Sequence, residues 1–487
     1  MARRKLLRLL MASTVGAYGA AVPVGAACAA TFSVADLPDF SEAGYGRVGQ
    51  PIPTVRSVVT VAGGGAAEIQ RALDQVARLP LDAHGVRGAV QLAPVEFRID
   101  RPIVLHASGI VLRGSVAGQR RTSLVGTQTM PVMVTVDGSG KRTWEGPTIA
   151  IVKPIEIGAK RIALASTAGL HVGDWIIVER LFTPEWIASI GMDEIPDRSD
   201  GAPVKQWQAG SSIQFERRIV ALTGDGVVLD AAIPDRFTRI DQGRVWRFSF
   251  DGRIDNVGIE QLALRGAAIA DPARSNAPPP PRDIGLQIGR ATNVWVRDLA
   301  IDEFATFIDV GRDASDVTVD RVAGGVAGPS RGAAVPTIYS ITGQRVLIQN
   351  CRFSGDRAHV WSTQSRAAGP NVFRNCVARG NALDAGPHQR WASGTLYDNV
   401  DLTGTITVQN RLNKGSGHGW PGATQVFWND VAQDVRLEQA PGSTNWAIGT
   451  SGRQVPIKFN SGTIVSPGRP VSPRSLFDAQ LRSALTR

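Results

Sequence analysis

From residue 257 onward the chain repeats a short apolar phrase that carries Asn or Asp near its end, and this repetition limits the fold more than any other feature. The clearest copies are VWVRDLAI (294–301), VLIQNCRF (346–353), NVFRNCVA (371–378) and TLYDNVDL (395–402). Weaker ones are IEQLAL (259–264), VTVDRVA (317–323) and VFWNDVA (426–432). Asn350 and Asn375 are 25 residues apart, and Asn399 follows 24 later. A strand closed by an Asn- or Gly-rich turn, recurring every ~20–30 residues, marks a solenoid whose units bury one face in a common core. Alternation within each phrase indicates strands rather than helices, and the leucine skeleton of a leucine-rich repeat is absent. The expected fold is all-β: a right-handed parallel β-helix. Its repeated Asn are expected to form an internal turn ladder, each amide satisfying backbone groups of the next rung. Cys351 and Cys376 then read as stacked small fillers in consecutive rungs, with a disulfide as the alternative in an oxidising compartment.

At 487 residues and 43% hydrophobic, the chain is too long for a small stapled domain and too apolar for a disordered one. Residues 1–30 combine Arg3, Arg4, Lys5 and Arg8 with an apolar stretch and a run of small residues, the pattern of a bacterial export signal. RRKLLR also fits a twin-arginine signal loosely, and lipidation at Cys28 is the less favoured reading because Gly25 stands where a lipobox needs a large aliphatic residue. The mature protein is expected to be secreted or periplasmic, without stable membrane insertion. Removing the four basic residues of this segment takes the net charge from +10 to +6.

Residues 31–154 are expected to hold a cap and the first rungs. Ile69, Ala72, Leu73 and Val76 fall at i, i+3, i+4 and i+7, a helix suited to covering the open end of the coil. Short strands follow in AVQLAP (89–94), VEFRI (95–99), PIVL (102–105) and GIVLRGS (109–115). Residues 155–245 break the rung pattern. KRIALASTAGLHVGDWIIVERL (160–181) alternates like antiparallel strands around a Gly-Asp turn, and IVALTGDGVVLD (219–230) reads as a hairpin, so a small inserted β domain is expected. The main helix should occupy 246–465, interrupted by the proline-rich loop SNAPPPPRD (275–283), and residues 466–487 a short terminal helix.

The helix followed by VQLAPVEFRIDRPIVL and IVLRGS resembles the start of the pectate-lyase-like superfamily of right-handed β-helix proteins. The likeness covers about residues 55–125 and, through the rungs, 255–450. It implies the fold strongly and an activity on polysaccharides only weakly.

The chemistry gathers in the later rungs. His359, His388 and His418 are spaced by 29 and 30 residues, close to one rung each, so they are expected as stacked neighbours. Trp361, Trp391 and Trp420 each follow one of them, and eleven Trp against four Tyr suggests sugar-stacking surfaces. Residues 345–420 hold nine Lys/Arg against four Asp/Glu, so this stretch carries most of the mature excess charge. Such a groove suits an anionic polysaccharide; nucleic acid is disfavoured by export and by the absence of a dense basic tract. For β-elimination from a uronate polymer, His388 is the expected base, Arg390 and Arg411 the carboxylate clamps, and His418 or Tyr397 the acid. Arg357, His359 and Arg366 are expected to bind substrate, with the indoles of Trp361, Trp391 and Trp420.

Glycoside hydrolysis or glycan-cyclising transglycosylation is the alternative, using a carboxylate pair drawn from Asp356, Asp384 and Asp398. Gly417-His418-Gly419 resembles the Gly-His-Gly of polygalacturonase-like hydrolases, but the Asn-Thr-Asp, Gly-Asp-Asp and Arg-Ile-Lys segments of that group are missing. A surface β-helix that binds glycans without cleaving them is the third reading. No cofactor is expected; Ca²⁺, which related lyases hold with clustered Asp, is not implied by the scattered Asp here, Asp298 and Asp302 included. Side-by-side trimers are compatible with the fold.

Overall fold

The computed structural model describes residues 34–267, 283–326 and 335–486. The export segment with Cys28, and all of the proline-rich loop except Asp283, lie outside these residues. Among the described residues no helix is long and apolar enough to cross a membrane.

Among the described residues, twenty-six short strands wind into one continuous sheet in which each strand pairs in parallel with its counterpart one turn on. The architecture is thus the parallel β-helix implied by the resemblance to the pectate-lyase-like superfamily. The repeated phrases align register for register: Val294 faces Val317, which faces Val346. On the next position, Leu347, Val372, Leu396, Val426 and Trp446 form one column. The first column points into the lumen with Ile348, Phe373, Tyr397 and Phe427. The second points outward, yet it is also buried, beneath Leu37 and Phe40 and beneath Leu476 and Phe477 of the last helix. Burial on both faces is why these phrases read as almost continuous apolar runs.

Asn350, Asn375, Asn399 and Asn429 sit where one strand bends into the next, with φ of 55°, 51°, 57° and 53°. Asn tolerates this left-handed conformation better than any other residue with a side chain of its size, which explains the repetition. Their backbone N–H groups donate to carbonyls of the following rung at 2.8–3.0 Å. Their amides differ from the expected internal ladder. Asn350 and Asn375 are exposed, and the one amide-to-amide contact between them is 3.5 Å long. The inward role falls to Asn371, which is buried, accepts from Val346 N at 3.0 Å and donates to Gly343 O at 3.2 Å. Asn445 does the same between Gln425 N and Glu438 O. Cys351 and Cys376 are free, buried thiols in consecutive rungs.

Helix α1 (Ala66–Ala77) buries Ile69, Ala72, Leu73 and Val76 in the main core beside the first strands. Helix α2 (Pro184–Ser189) is capped by Thr183. Helix α3 (Leu476–Leu485) is capped by Ser475 and returns to the helix wall: Asp398 accepts from Ser475 Oγ at 2.7 Å and from Phe477 N at 2.9 Å.

The rung pattern is interrupted by a six-stranded antiparallel sheet that runs from Thr143–Ala150 to Arg244–Ser249, two strands that pair with each other. Its start therefore lies before the expected residue 155. Ala159–Ala163 and Trp175–Leu181 are not hairpin partners as expected; the first pairs with Gly226–Ile233 and the second with Ser212–Thr223. The hairpin at Gly224-Asp225 is formed as read, with Thr223 opposite Gly226.

A buried ionic network fastens this sheet to the helix. Arg345, fully buried, grips Asp316 through Nε and Nη2 at 2.7 and 2.9 Å and donates to Glu216 O of the inserted sheet at 2.7 Å. The Glu216 carboxylate in turn accepts from Arg253 at 2.7 Å. Burial opposes ionisation of Asp316, but Arg345 and then Arg47 hold its carboxyl far below the usual range. Breaking such a pair leaves an uncompensated buried charge. Arg345→Ala is expected to lower unfolding free energy by ~3–5 kcal/mol in chemical denaturation, whereas Arg453→Ala, at an exposed pair with Asp434, should leave the denaturation midpoint close to the parent's.

Candidate functional site

The strands Ala358–Thr363, Val377–Ala385 and Asp401–Val408 are neighbours on successive turns, and their register sets His359 beside Asp384 and Asp384 beside Thr405. His388 follows the second strand after Gly386-Pro387, and its N–H donates to Thr363 O at 2.8 Å. Gly386 has φ of 149°, and a Cβ there would meet Thr407 O at 2.0 Å, so only glycine lets the turn pass this close to the next rung. Arg411 and His418 lie on the long turn after the third strand. Gly415, at φ 58°, rests against the His418 ring; a Cβ would stand 2.1 Å from Nε2.

These turns bring the three imidazoles into a row, with centroids 4.5 Å apart between His359 and His388 and 4.8 Å between His388 and His418. The three histidines are neighbours on successive turns, as their spacing predicts, with the rings at 71° and 58° to one another. Asp384 Oδ1 lies 2.6 Å from His359 Nδ1. With the carboxylate as acceptor, that nitrogen carries the hydrogen, so in the neutral ring the lone pair is on Nε2. Arg411 Nη1 lies 3.3 Å from His388 Nδ1. A guanidinium can only donate, so here Nδ1 accepts and the hydrogen sits on Nε2. Adjacent rings therefore present opposite tautomers: one proton acceptor and one N–H donor.

His418 is buried, and burial, followed by the fields of Arg411 and Arg390, pushes its pKa down to about 4. It is neutral at neutral pH, which removes it as the acid expected from the sequence. Burial likewise lowers Arg411, while Asp384 pulls it back up. Arg411 Nε and His418 Nδ1 are both buried without a protein partner.

Several other expected site residues have different duties. Tyr397 is wholly buried in the lumen, stacked between Phe373 at 5.2 Å and Phe427 at 4.6 Å, and burial raises its hydroxyl well above the ordinary value, so it cannot serve as the acid. Trp361 lies in the same core against Tyr339. Trp391 and Trp420 are buried in the seam with the inserted sheet, their indoles donating to Asp235 at 3.2 Å and to Ile190 O at 3.0 Å. None of these three indoles offers a face to a sugar, because each fills an apolar gap. Arg390 spends Nη2 on Lys205 O at 2.6 Å and Ser416 O at 3.1 Å, which ties the inserted domain to the turn bearing His418; it positions that turn, and Arg411 is the guanidinium in the histidine row. Arg357 precedes the strand of His359 and Arg366 follows it, at opposite ends.

Asp384 was expected only as one member of an acid pair. The 25-residue spacing from His359, the same as from Asn350 to Asn375, could have revealed it as the partner of His359. The rest of that acid pair is not assembled: Asp398 is buried under α3, its pKa raised to about 6 chiefly by burial, and Asp356 accepts from Asn381 N at 2.7 Å. Asp298 is held by Arg321 at 2.7 Å and Asp302 accepts from Gly325 N at 2.9 Å. Among the described residues no group of three or more His, Cys, Asp or Glu is placed to hold a metal ion. A partly open cavity of about 290 Å³ lies elsewhere, against Arg180, Trp186, Asp235 and Trp391.

Because the folded-state pKa of His418 lies below the unfolded value, the unfolded chain binds a proton between pH ~6.5 and about 4 that the folded chain does not. This part of the stability is complete above that window and is lost as pH falls through it. His418→Gln should therefore lose less stability than the parent between pH 7 and pH 5 in parallel urea denaturations, and the His418 ring protons should show no titration by NMR above pH 5.

No family model and no curated protein matches the sequence. Among solved structures the chain is similar to the tailspike protein gp49 of Pseudomonas phage LKA1, with 13% identity, a TM-score of 0.37 and coverage of 82% of this chain and 69% of that one. It is also similar to an alginate lyase from Paenibacillus sp. str. FPU-7, at 12% identity and a TM-score of 0.38, covering 85% and 99% of the two chains. A polygalacturonase from Erwinia carotovora ssp. carotovora gives 10% identity and a TM-score of 0.43, covering 86% and 100%.

Proposed function

We propose that the protein is an exported polysaccharide lyase that cleaves a uronate-containing polymer by β-elimination at the His359–His388–Arg411 corner. The observation that carries this reading is the pair of adjacent imidazoles with opposite tautomers, one fixed by Asp384 and the other by Arg411. Arg411 pairs with the uronate carboxylate and draws charge from C5, acidifying its proton. His359 Nε2 takes that proton, and Asp384 stabilises the imidazolium so formed. The electron pair of the C5–H bond becomes the C4–C5 double bond, and the C4–O bond breaks. The glycosidic oxygen recovers its proton from the His359 imidazolium, so no second acid is required. His388 Nε2–H donates a hydrogen bond to the charge that builds on the substrate. The base is thus reassigned from His388 to His359, because a ring that accepts from a guanidinium is poorly suited to gain a proton.

Hydrolysis is disfavoured by the same geometry, since Asp384 is committed to His359 and Asp398 is buried under α3.

The test is a panel of polygalacturonate, alginate and hyaluronan, followed by the ultraviolet absorbance of the unsaturated product and by new reducing ends. The lyase gives both in step. Reducing ends without absorbance would overturn the reading in favour of a hydrolase, and binding without either product in favour of a glycan-binding protein. His359→Ala should lower kcat by ~10²–10⁴-fold with the fold intact, and Asp384→Asn by a smaller factor. Full activity in His359→Ala sinks the assignment of the base.

A further inference from the structure

Of the eleven tryptophans, nine are buried; the two with substantial exposure, Trp144 at 47% and Trp175 at 36%, both lie on the inserted sheet. Trp144 pairs across strands with Phe248, and Ile177 with Trp246. Trp175 is two residues from Ile177 on the same strand, so it shares that face by alternation. The register places Trp144 and Trp175 on either side of Phe248, two strand spacings or ~10 Å apart. Trp144 lies flat on the buried Trp246, with ring centroids 3.5 Å apart and an 8° interplanar angle, and one guanidinium, that of Arg244, lies near it at 5.9 Å. An indole held flat by a second indole loses little freedom when a ligand stacks on it, and the C–H face of a pyranose ring is the matching surface.

A chain of contacts links the platform to the histidine row. Arg142, two residues before Trp144, meets Asp313 at 3.2 Å. The neighbouring Arg312 donates to Ser365 O at 3.0 Å; Arg366 N donates to Arg390 O at 3.0 Å, and Arg390 N to His418 O at 3.1 Å. Arg312, Arg366 and Arg390 stand on neighbouring turns of the coil, and the guanidinium hydrogen bonds of Arg312 and Arg390 go to carbonyls. A line of three cations with one neighbouring carboxylate, Asp313 beside Arg312, keeps a positive excess that is complementary to a polyanion.

We infer that the inserted sheet carries a remote anchoring site for an acidic polysaccharide, with a sugar ring stacked on Trp144, Trp175 flanking it under the Arg47 guanidinium, and the polymer led by Arg312, Arg366 and Arg390 to the histidine row. The ligand class rests on the proposed function, but binding at the platform does not require cleavage. It replaces the stacking role that the buried Trp361, Trp391 and Trp420 cannot play.

The experiment measures affinity electrophoresis in gels containing polygalacturonate, alginate or hyaluronan, beside product formation from the polymers and from their tetrasaccharides. Trp144→Ala and Arg312→Gln are each expected to weaken polymer binding about fivefold, with Trp144→Phe close to the parent, and to leave tetrasaccharide cleavage unchanged. Parent-like polymer binding by both variants overturns the proposal, as does retardation of the parent by none of the three polymers, or an equal loss on tetrasaccharides. If the parent binds polymer but forms no unsaturated product, the lyase reading fails while the binding comparison still decides the anchor.

Discussion

Everything at the histidine row depends on the register between consecutive turns of the coil. A parallel strand that slipped by one residue against its neighbour would exchange lumen and surface side chains along its whole length. Here the slip is prevented on two sides. Large aromatics fill the lumen in a fixed stack, Phe373, Tyr397 and Phe427, and the outward column from Leu347 to Trp446 is also packed, against the N-terminal segment and α3. The left-handed residue at each bend, Gln261, Asp298 and Arg321 in the earlier rungs and Asn in the later ones, ends one strand and starts the next, so it sets where each turn begins. His359 and Asp384 meet because of this registration, with no segment dedicated to bringing them together.

The inserted sheet is the second structural commitment, and it draws on residues that resemble binding residues. Trp391 and Trp420 enter its core with Trp186 and Trp207. Arg217, fully buried, donates to Ala231 O, Ala232 O and, across the seam, Gly369 O at 3.1 Å, and burial pushes its pKa down to about 9. Arg390 closes the same seam from the other side through Lys205 O. One consequence is electrostatic. With the seam closed, His418 is largely shielded from water beside two guanidiniums and stays neutral next to Arg411.

How much of the site was legible can be judged residue by residue. The spacing of His359, His388 and His418 was sufficient to predict the row, because a solenoid converts sequence period into spatial adjacency. The same rule, applied to residue 384, would have found its carboxylate. The roles of the individual rings were not legible. Which nitrogen of His359 carries hydrogen depends on Asp384 one rung away, and which nitrogen of His388 does depends on Arg411 on a separate turn.

Alone, the sequence determined the repeating strand, the left-handed Asn bend, the apolar columns and the interruption by an antiparallel unit, since each is a local pattern of period, size and backbone preference. Only the tertiary structure decided which tryptophans face water. A Trp beside a histidine looks the same in sequence whether it meets a sugar or an inserted sheet, and the difference arises from a seam formed by residues more than 150 positions apart, such as Asp235 and Trp391. It also decided that the exposed indoles, Trp144 and Trp175, belong to the insertion, because exposure is fixed by what packs above a strand and not by the strand itself.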